Sequence, residues 1–124
     1  MTDKVVDASA LAAAVFLEPG FIQVRARMHG CKLYAPELIW FEMANVCVKK
    51  IRSIPTDRDL ILRQHATGLK ILIERREVSQ EEVVSLAERH KLTAYDASYL
   101  WLAKQLKCEL VTLDGKLQAA AGAS

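Results

Sequence analysis

Short apolar runs alternate with longer helical segments along the whole chain, and this alternation restricts the fold more than any other feature. The runs with the length and composition of strands cover residues 4–7, 32–35, 71–73 and 109–113. Strands that alternate with helices usually pair in parallel, in a sheet covered by helices on both faces. The sequence therefore predicts an α/β fold. Its 124 residues, 52% of them hydrophobic, contain no repeat or linker, so we expect one domain over residues 1–124.

Capping and breaking residues delimit the predicted helices. Pro36 suits the first turn of a helix, and Ser79 and Thr93 are typical N-cap residues. Asp114 and Gly115 form a turn pair that leads into a short helix. The predicted helices cover residues 10–17, 21–28, 36–52, the sixties, 80–90, 94–106 and a short segment after residue 115.

Composition excludes several classes of protein. The three cysteines are an odd number and lack the spacing of a zinc site, which argues against a disulfide framework and against zinc. No apolar run approaches the ~20 residues of a membrane span, and the N-terminus lacks the plan of a signal peptide. We therefore expect a cytoplasmic protein with no membrane partner. The net charge of +2 neither requires nor excludes nucleic acid.

Two acidic residues lie at the carboxyl ends of predicted strands. Asp7 comes after Val5 and Val6, and Asp114 comes after the run 110–113. If these strands are parallel neighbours, both carboxylates emerge at the sheet edge where α/β proteins bind ligands. Each acid also has a structural alternative. Asp7 or Ser9 can cap the following helix, and Asp114 can belong only to the turn.

Two further acids lie in predicted helices. Between residues 38 and 48 only Glu42 and Asn45 are polar, and their spacing puts them on one helix face. A helix that is apolar nearly all round is expected to be buried nearly all round. Glu42 then needs compensation from a metal ion, from a cleft that faces water, or from a buried Arg or Lys. Asp96 lies in the first turn of its helix, where it can also form a capping box with Thr93.

Taken together, the four acids predict a metal site. Carboxylates ~5 Å apart repel by about 3 kcal/mol per pair at an effective dielectric constant of about 20. A cation would relieve this repulsion, and a set of oxygen ligands suits Mg²⁺ or Mn²⁺ rather than zinc. Such a centre can activate water for the displacement of a phosphodiester.

Four segments of the chain, in order and nearly spanning it, resemble the PIN domain, and most closely its VapC-type toxin branch. The segments are Val5-Val6-Asp7-Ala8-Ser9-Ala10-Leu11, Pro36 with Glu42-Met43-Ala44-Asn45, Leu92-Thr93-Ala94-Tyr95-Asp96-Ala97-Ser98-Tyr99, and Leu110-Val111-Thr112-Leu113-Asp114. The resemblance implies a three-layer α/β/α fold with a central parallel sheet of four or five strands. It also implies a ribonuclease that uses Mg²⁺ or Mn²⁺, forms a homodimer and is inhibited by a small VapB-type antitoxin.

The resemblance also assigns roles by position. It implies that the catalytic and metal-binding acids are Asp7, Glu42, Asp96 and Asp114, with Ser9, Asn45 and Thr112 in support. Basic residues expected to contact RNA phosphates are Lys49, Lys50, Arg52 and Lys116, with Arg25 and Arg27 as further candidates. For each of these basic residues, a solvated charged surface is the alternative.

The family pattern usually continues past the last aspartate with a helix and a final edge strand. Residues 116–121 leave room here only for a short helix, so the fifth strand is in doubt. Three other functions stay open at this point. They are a PIN nuclease that processes RNA without being a toxin, a catalytically silent PIN-fold adapter that binds RNA or protein, and a phosphatase with an aspartyl nucleophile. The phosphatase would need an acid where Ser9 stands.

Overall fold

The computed structural model describes residues 1–123, in which seven α-helices flank a four-stranded sheet in a three-layer α/β/α arrangement. The strands are β1 (Asp3–Val6), β2 (Lys32–Pro36), β3 (Ile73–Arg76) and β4 (Glu109–Val111). The helices are α1 (Ala8–Phe16), α2 (Phe21–Met28), α3 (Ile39–Ser53), α4 (Arg58–Gly68), α5 (Gln80–His90), α6 (Ala94–Leu106) and α7 (Gly115–Gly122). A 3₁₀ turn at Pro55–Asp57 joins α3 to α4.

All strand pairs are parallel, as predicted, and the strand order is β3-β2-β1-β4. The central strand β1 pairs with β4 in a register that places Val6 opposite Val111. The residues that follow these two strands therefore leave the sheet side by side at one edge. Within residues 1–123 no fifth strand follows α7.

The core lies between the sheet and the helices that cover it. Val5 and Val6 of β1 and Val111 of β4 are fully buried. The largest fully buried side chains on the helices are Leu11, Ile39, Met43, Tyr99, Leu100, Leu102 and Leu117. Burying each such side chain contributes roughly 1.5–3 kcal/mol to stability. None of the helices in the described part of the chain combines the length and apolar composition needed to cross a bilayer.

The prediction for Pro36 was wrong, because it is the last residue of β2 and not a residue of the first helical turn. A proline forces the residue before it into an extended conformation, so Ala35 stays in the strand and Pro36 continues it. Helix α3 begins only at Ile39, after Leu38, which provides no side-chain cap.

Two strand predictions also had wrong boundaries. The strand predicted at 71–73 is β3 at Ile73–Arg76, an edge strand whose last three residues are exposed, so it has no apolar pattern. The strand predicted at 109–113 ends at Val111. It ends there because the next residue, Thr112, turns its hydroxyl towards Asp7 and accepts a hydrogen bond from the backbone N–H of Asp114.

Helix α3 is not buried nearly all round, which corrects another expectation. Only Ile39, Met43 and Cys47 are buried, and these residues recur every four positions along one face. Phe41 on another face is 81% exposed. The apolar residues of α3 therefore form two surfaces, one in the core and one facing outward.

Candidate active site

Asp7, the first residue of the site along the chain, lies between β1 and α1. It is 4% exposed, and its Oδ1 accepts hydrogen bonds from the backbone N–H of Ala10 at 2.9 Å and the hydroxyl of Ser9 at 2.8 Å. Its Oδ2 accepts from the hydroxyl of Thr112. Asp7 is thus the N-cap of α1, and the three donors hold both carboxylate oxygens in fixed directions.

Ser9 and Thr112 link the ends of β1 and β4. The Ser9 hydroxyl oxygen accepts from the backbone N–H of Leu113 at 3.0 Å, while Thr112 accepts from the N–H of Asp114 at 3.0 Å. Asp114 then accepts from the N–H of Leu117 and caps α7. The cap and turn alternatives considered for Asp7 and Asp114 are therefore present, and they orient the same carboxylates.

Glu42 enters the site from α3. It is partly buried, and its Oε1 accepts a hydrogen bond of 2.7 Å from the hydroxyl of Tyr99 on α6. Its partner is therefore a neutral phenol rather than the Arg or Lys that the sequence left as an alternative. Burial raises the pKa of Tyr99 and the adjacent Glu42 raises it further, so this phenol keeps its proton and acts as a donor.

Asp96 lies in the first turn of α6. Thr93 caps this helix by accepting from the backbone N–H of Asp96 at 3.1 Å. The Thr93 side chain also interacts with the Asp96 carboxylate and lowers its pKa, which partly offsets the effect of burial. One turn later on the same helix is Tyr99, so α6 contributes both an acid and the partner of Glu42. Asn45, one turn after Glu42 on α3, is exposed.

The four acids form one electrostatic group with Asp96 at its centre. Burial is the main cause that raises the pKa of Asp7, Glu42 and Asp96. The charge of Asp96 further raises the pKa of Asp7 and of Glu42, and the charge of Asp114 raises that of Asp96. The three aspartates therefore make ionisation of a neighbouring carboxyl less favourable, as expected for acids that share a site.

The donor set fits a hard divalent cation. All four side chains offer carboxylate oxygens, the ligands that Mg²⁺ and Mn²⁺ prefer, and a cation would offset their mutual repulsion. Within residues 1–123, no three His, Cys, Asp or Glu side chains converge tightly enough to hold a metal ion as they stand. Binding would therefore require the carboxylates to draw together.

The basic residues predicted to contact RNA are distributed unevenly. Lys116 lies near enough to Asp96 to lower the pKa of Asp96, which opposes the effect of its acidic neighbour Asp114. Lys49 and Arg52 are exposed on α3, whereas the Lys50 ammonium forms a 2.8 Å ion pair with Glu18.

Two basic candidates, Arg25 and Arg27, are engaged elsewhere. Arg25 donates to the backbone carbonyl of Ala14. Arg27 donates to Glu109 at the start of β4, the opposite end of that strand from the acids. Arg27 was therefore wrongly placed at the rim of the site, whereas contact of Arg25 with RNA stays a prediction.

Tyr99 is the residue of this site to which the sequence analysis assigned no role. The signal available was its position one helical turn after Asp96, since residues three apart share a helix face. Its partner could not be read from the pattern, because Glu42 lies 57 positions away in the chain.

Comparison with known proteins shows similarity along nearly the whole chain. Residues 4–123 match the family model described as the PIN domain. VapC ribonuclease Mb0985 of Mycobacterium bovis and ribonuclease VapC9 of Mycobacterium tuberculosis are each 36% identical to this chain over 118 residues, covering 91% of this chain and 87% of the relative. The crystal structure of PAE2754 from Pyrobaculum aerophilum matches with a TM-score of 0.76 and 28% identity, covering 96% of this chain and 84% of that one.

Proposed function

This chain belongs to the PIN-domain family, in its VapC ribonuclease branch, and from this premise we propose that it is a metal-dependent endoribonuclease that acts as the toxin of a toxin–antitoxin pair. The observation that carries the proposal is the group of four acids at the end of β1 and β4. Burial and, to a smaller extent, an acidic neighbour raise the pKa of Asp7, Glu42 and Asp96, an arrangement that favours binding of a cation.

The proposed metal ligands are Asp7, Asp96 and Asp114, with Glu42 binding directly or through a water molecule. When bound, Mg²⁺ or Mn²⁺ supplies a Lewis acid that lowers the pKa of water and neutralises charge on the reacting phosphodiester. Ser9 and Thr112 hold the Asp7 carboxylate in one orientation through their hydrogen bonds. Water adds to phosphorus and the bond to the 3′ oxygen breaks, which gives 5′-phosphate and 3′-hydroxyl ends.

Basic residues around the acids would hold the RNA backbone. Lys116 lies beside Asp96, and Lys49 and Arg52 are exposed on the helix that carries Glu42. Lys50 would have to leave Glu18 before it could contact a phosphate. Contacts of this kind release counterions, so we expect RNA binding to weaken steeply as salt rises.

The partners follow from the same branch of the family. We infer that a VapB-type antitoxin inhibits the protein, that the protein forms a homodimer, and that it acts in the cytoplasm, where its RNA substrate is found. The outward face of α3 around Phe41, which is 81% exposed, is an apolar surface available for one of these contacts.

Cleavage of a labelled, structured RNA tests the catalytic part of this proposal. We expect purified protein to cut the RNA in Mn²⁺ or Mg²⁺ and to be inactive in EDTA. The Asp96→Asn variant should be inactive with metal while keeping its fold, because the Thr93 cap bonds to the Asp96 backbone and survives the substitution. Cleavage in EDTA, or full activity of Asp96→Asn, would contradict the proposed mechanism.

Expression in a bacterium tests the toxin role separately. Induction of the wild-type chain should arrest growth, and induction of Asp96→Asn should not. Cleavage in vitro without growth arrest would indicate an RNA-processing nuclease. A wild-type protein that neither cleaves RNA nor binds Mn²⁺ would instead indicate a catalytically silent adapter.

A further inference from the structure

Tyr99 joins the two helices that carry Glu42 and Asp96. Tyr99 lies on α6, one turn after Asp96, is 1% exposed and packs in the hydrophobic core. Only its hydroxyl reaches the acidic site, where it donates to Oε1 of Glu42 at 2.7 Å. A rigid, buried side chain of one helix thereby fixes the end of a flexible side chain of another.

Glu42 needs such a partner more than Asp7 and Asp114 do. Asp7 is held by three donors, from Ala10, Ser9 and Thr112, and Asp114 is held by the backbone of Leu117. Glutamate has one more rotatable bond than aspartate, and Glu42 enters from α3 rather than from a strand end. A bond to Oε1 restricts its rotamers while Oε2 stays available as an acceptor.

We propose that Tyr99 is a positioning residue, whose hydroxyl orients Glu42 so that its second carboxylate oxygen is presented to the divalent cation. This inference rests on the proposed metal-dependent function. Partners that orient a metal ligand typically change metal affinity or activity by about 10- to 100-fold when they are removed. Tyr99 would then contribute to binding without touching metal or RNA.

Calorimetric titration of Mn²⁺ into metal-free protein tests the inference without relying on catalysis. The variant Tyr99→Phe removes only the hydroxyl and keeps the buried ring. We expect its Mn²⁺ dissociation constant to rise by roughly tenfold or more. Tyr95→Phe is the matched control, because Tyr95 lies on the same helix, beside Asp96, but is 65% exposed, and its Mn²⁺ affinity should equal that of the wild type.

A double-mutant cycle with Glu42→Ala identifies the route of the effect. If Tyr99 acts through Glu42, adding Tyr99→Phe to Glu42→Ala should cause no further loss of Mn²⁺ affinity. An additional loss of the same size as in the wild-type background would show that Tyr99 acts by another route, and would overturn the inference. Thermal unfolding of each variant shows whether the fold is retained.

The kinetic constants kcat and KM supply a second readout, which loss of a purely structural contact would not change in the same way. At saturating Mn²⁺, Tyr99→Phe should lower kcat and leave KM for RNA unchanged, because the hydroxyl does not contact the substrate. If the wild type cleaves RNA and Tyr99→Phe binds Mn²⁺ as tightly as the wild type does, this inference alone is overturned. A wild-type protein that binds no Mn²⁺ would overturn the proposed function, and the inference with it.

Discussion

At the scale of single residues, Asp7 has a structural and a chemical role at once. The sequence left open whether Asp7 caps α1 or belongs to a site. In the structure its side chain accepts from the N–H of Ala10 and is also close enough to Asp96 for that charge to raise its pKa. Such local roles are predictable, because they depend on neighbours in sequence. The contact of Tyr99 with Glu42 was not predictable, because it depends on how α3 and α6 pack.

Two substitutions of Asp7 separate its roles. Asp7→Asn and Asp7→Ala both remove the charge, but only asparagine can still accept the hydrogen bond from Ala10. We therefore expect Asp7→Ala to be less stable than Asp7→Asn by about 1 kcal/mol, the usual contribution of an N-cap. Chemical denaturation in EDTA measures this difference. Both variants should lose metal-dependent cleavage, and equal stability of the two would show that the cap contributes nothing.

At the scale of secondary-structure elements, predictions were confirmed where neighbouring residues determine the ends of an element. They were wrong where contacts with a distant segment determine those ends. Thr93 caps α6 as its sequence indicates, because the donor is only three residues away. Strand β3 was misplaced, because an exposed edge strand is defined by its backbone bonds to β2 and not by an apolar pattern. The early end of β4 likewise depends on Thr112 meeting Asp7, which is 105 positions away.

The close contact between α4 and α1 gives an element-scale prediction. A Cβ atom added to Gly68, the last residue of α4, would lie 2.8 Å from a methyl carbon of Val15, a stiff, β-branched side chain on α1. Overpacking of this kind costs about 1–3 kcal/mol, so Gly68→Ala should lower the free energy of unfolding by that amount in a denaturant titration.

The matched control for Gly68 is Gly122→Ala in α7. No atom lies within 4 Å of an added Cβ there, and alanine favours helix more than glycine does. We expect Gly122→Ala to leave stability unchanged or slightly higher. A Gly68→Ala variant as stable as Gly122→Ala would show that α1 and α4 can separate without cost.

At the scale of the whole molecule, the acidic group should set the pH dependence of stability. The pKa values of Asp7, Glu42 and Asp96 are raised above their ordinary values. The folded state therefore binds more protons than the unfolded state between about pH 4 and the raised values, and stability falls as pH rises through that window. Glu74 and Glu109 have lowered pKa values, which make stability rise with pH. Both residues are in exposed ion pairs, which contribute little to stability.

We therefore expect the metal-free protein to be more stable near pH 4 than at pH 7, and added Mn²⁺ to raise stability most at pH 7. Thermal unfolding at both pH values, in EDTA and in Mn²⁺, measures this. Asp7→Asn should show a smaller difference between the two pH values, because the most buried of the carboxyls no longer titrates. A metal-free protein that gains stability from pH 4 to pH 7 would contradict this assignment.

The central claim is that Asp7, Glu42, Asp96 and Asp114 act as one metal-dependent catalytic unit. The most direct test is the rate of RNA cleavage in Mn²⁺ by the four single amide variants and by the double variant Asp7→Asn/Asp96→Asn. Residues that act as a unit are strongly non-additive. We predict a loss of roughly 1000-fold or more for each aspartate variant, with the double variant no slower than the slower of its two singles. Near wild-type cleavage by any aspartate variant, or losses that multiply in the double variant, would contradict the account.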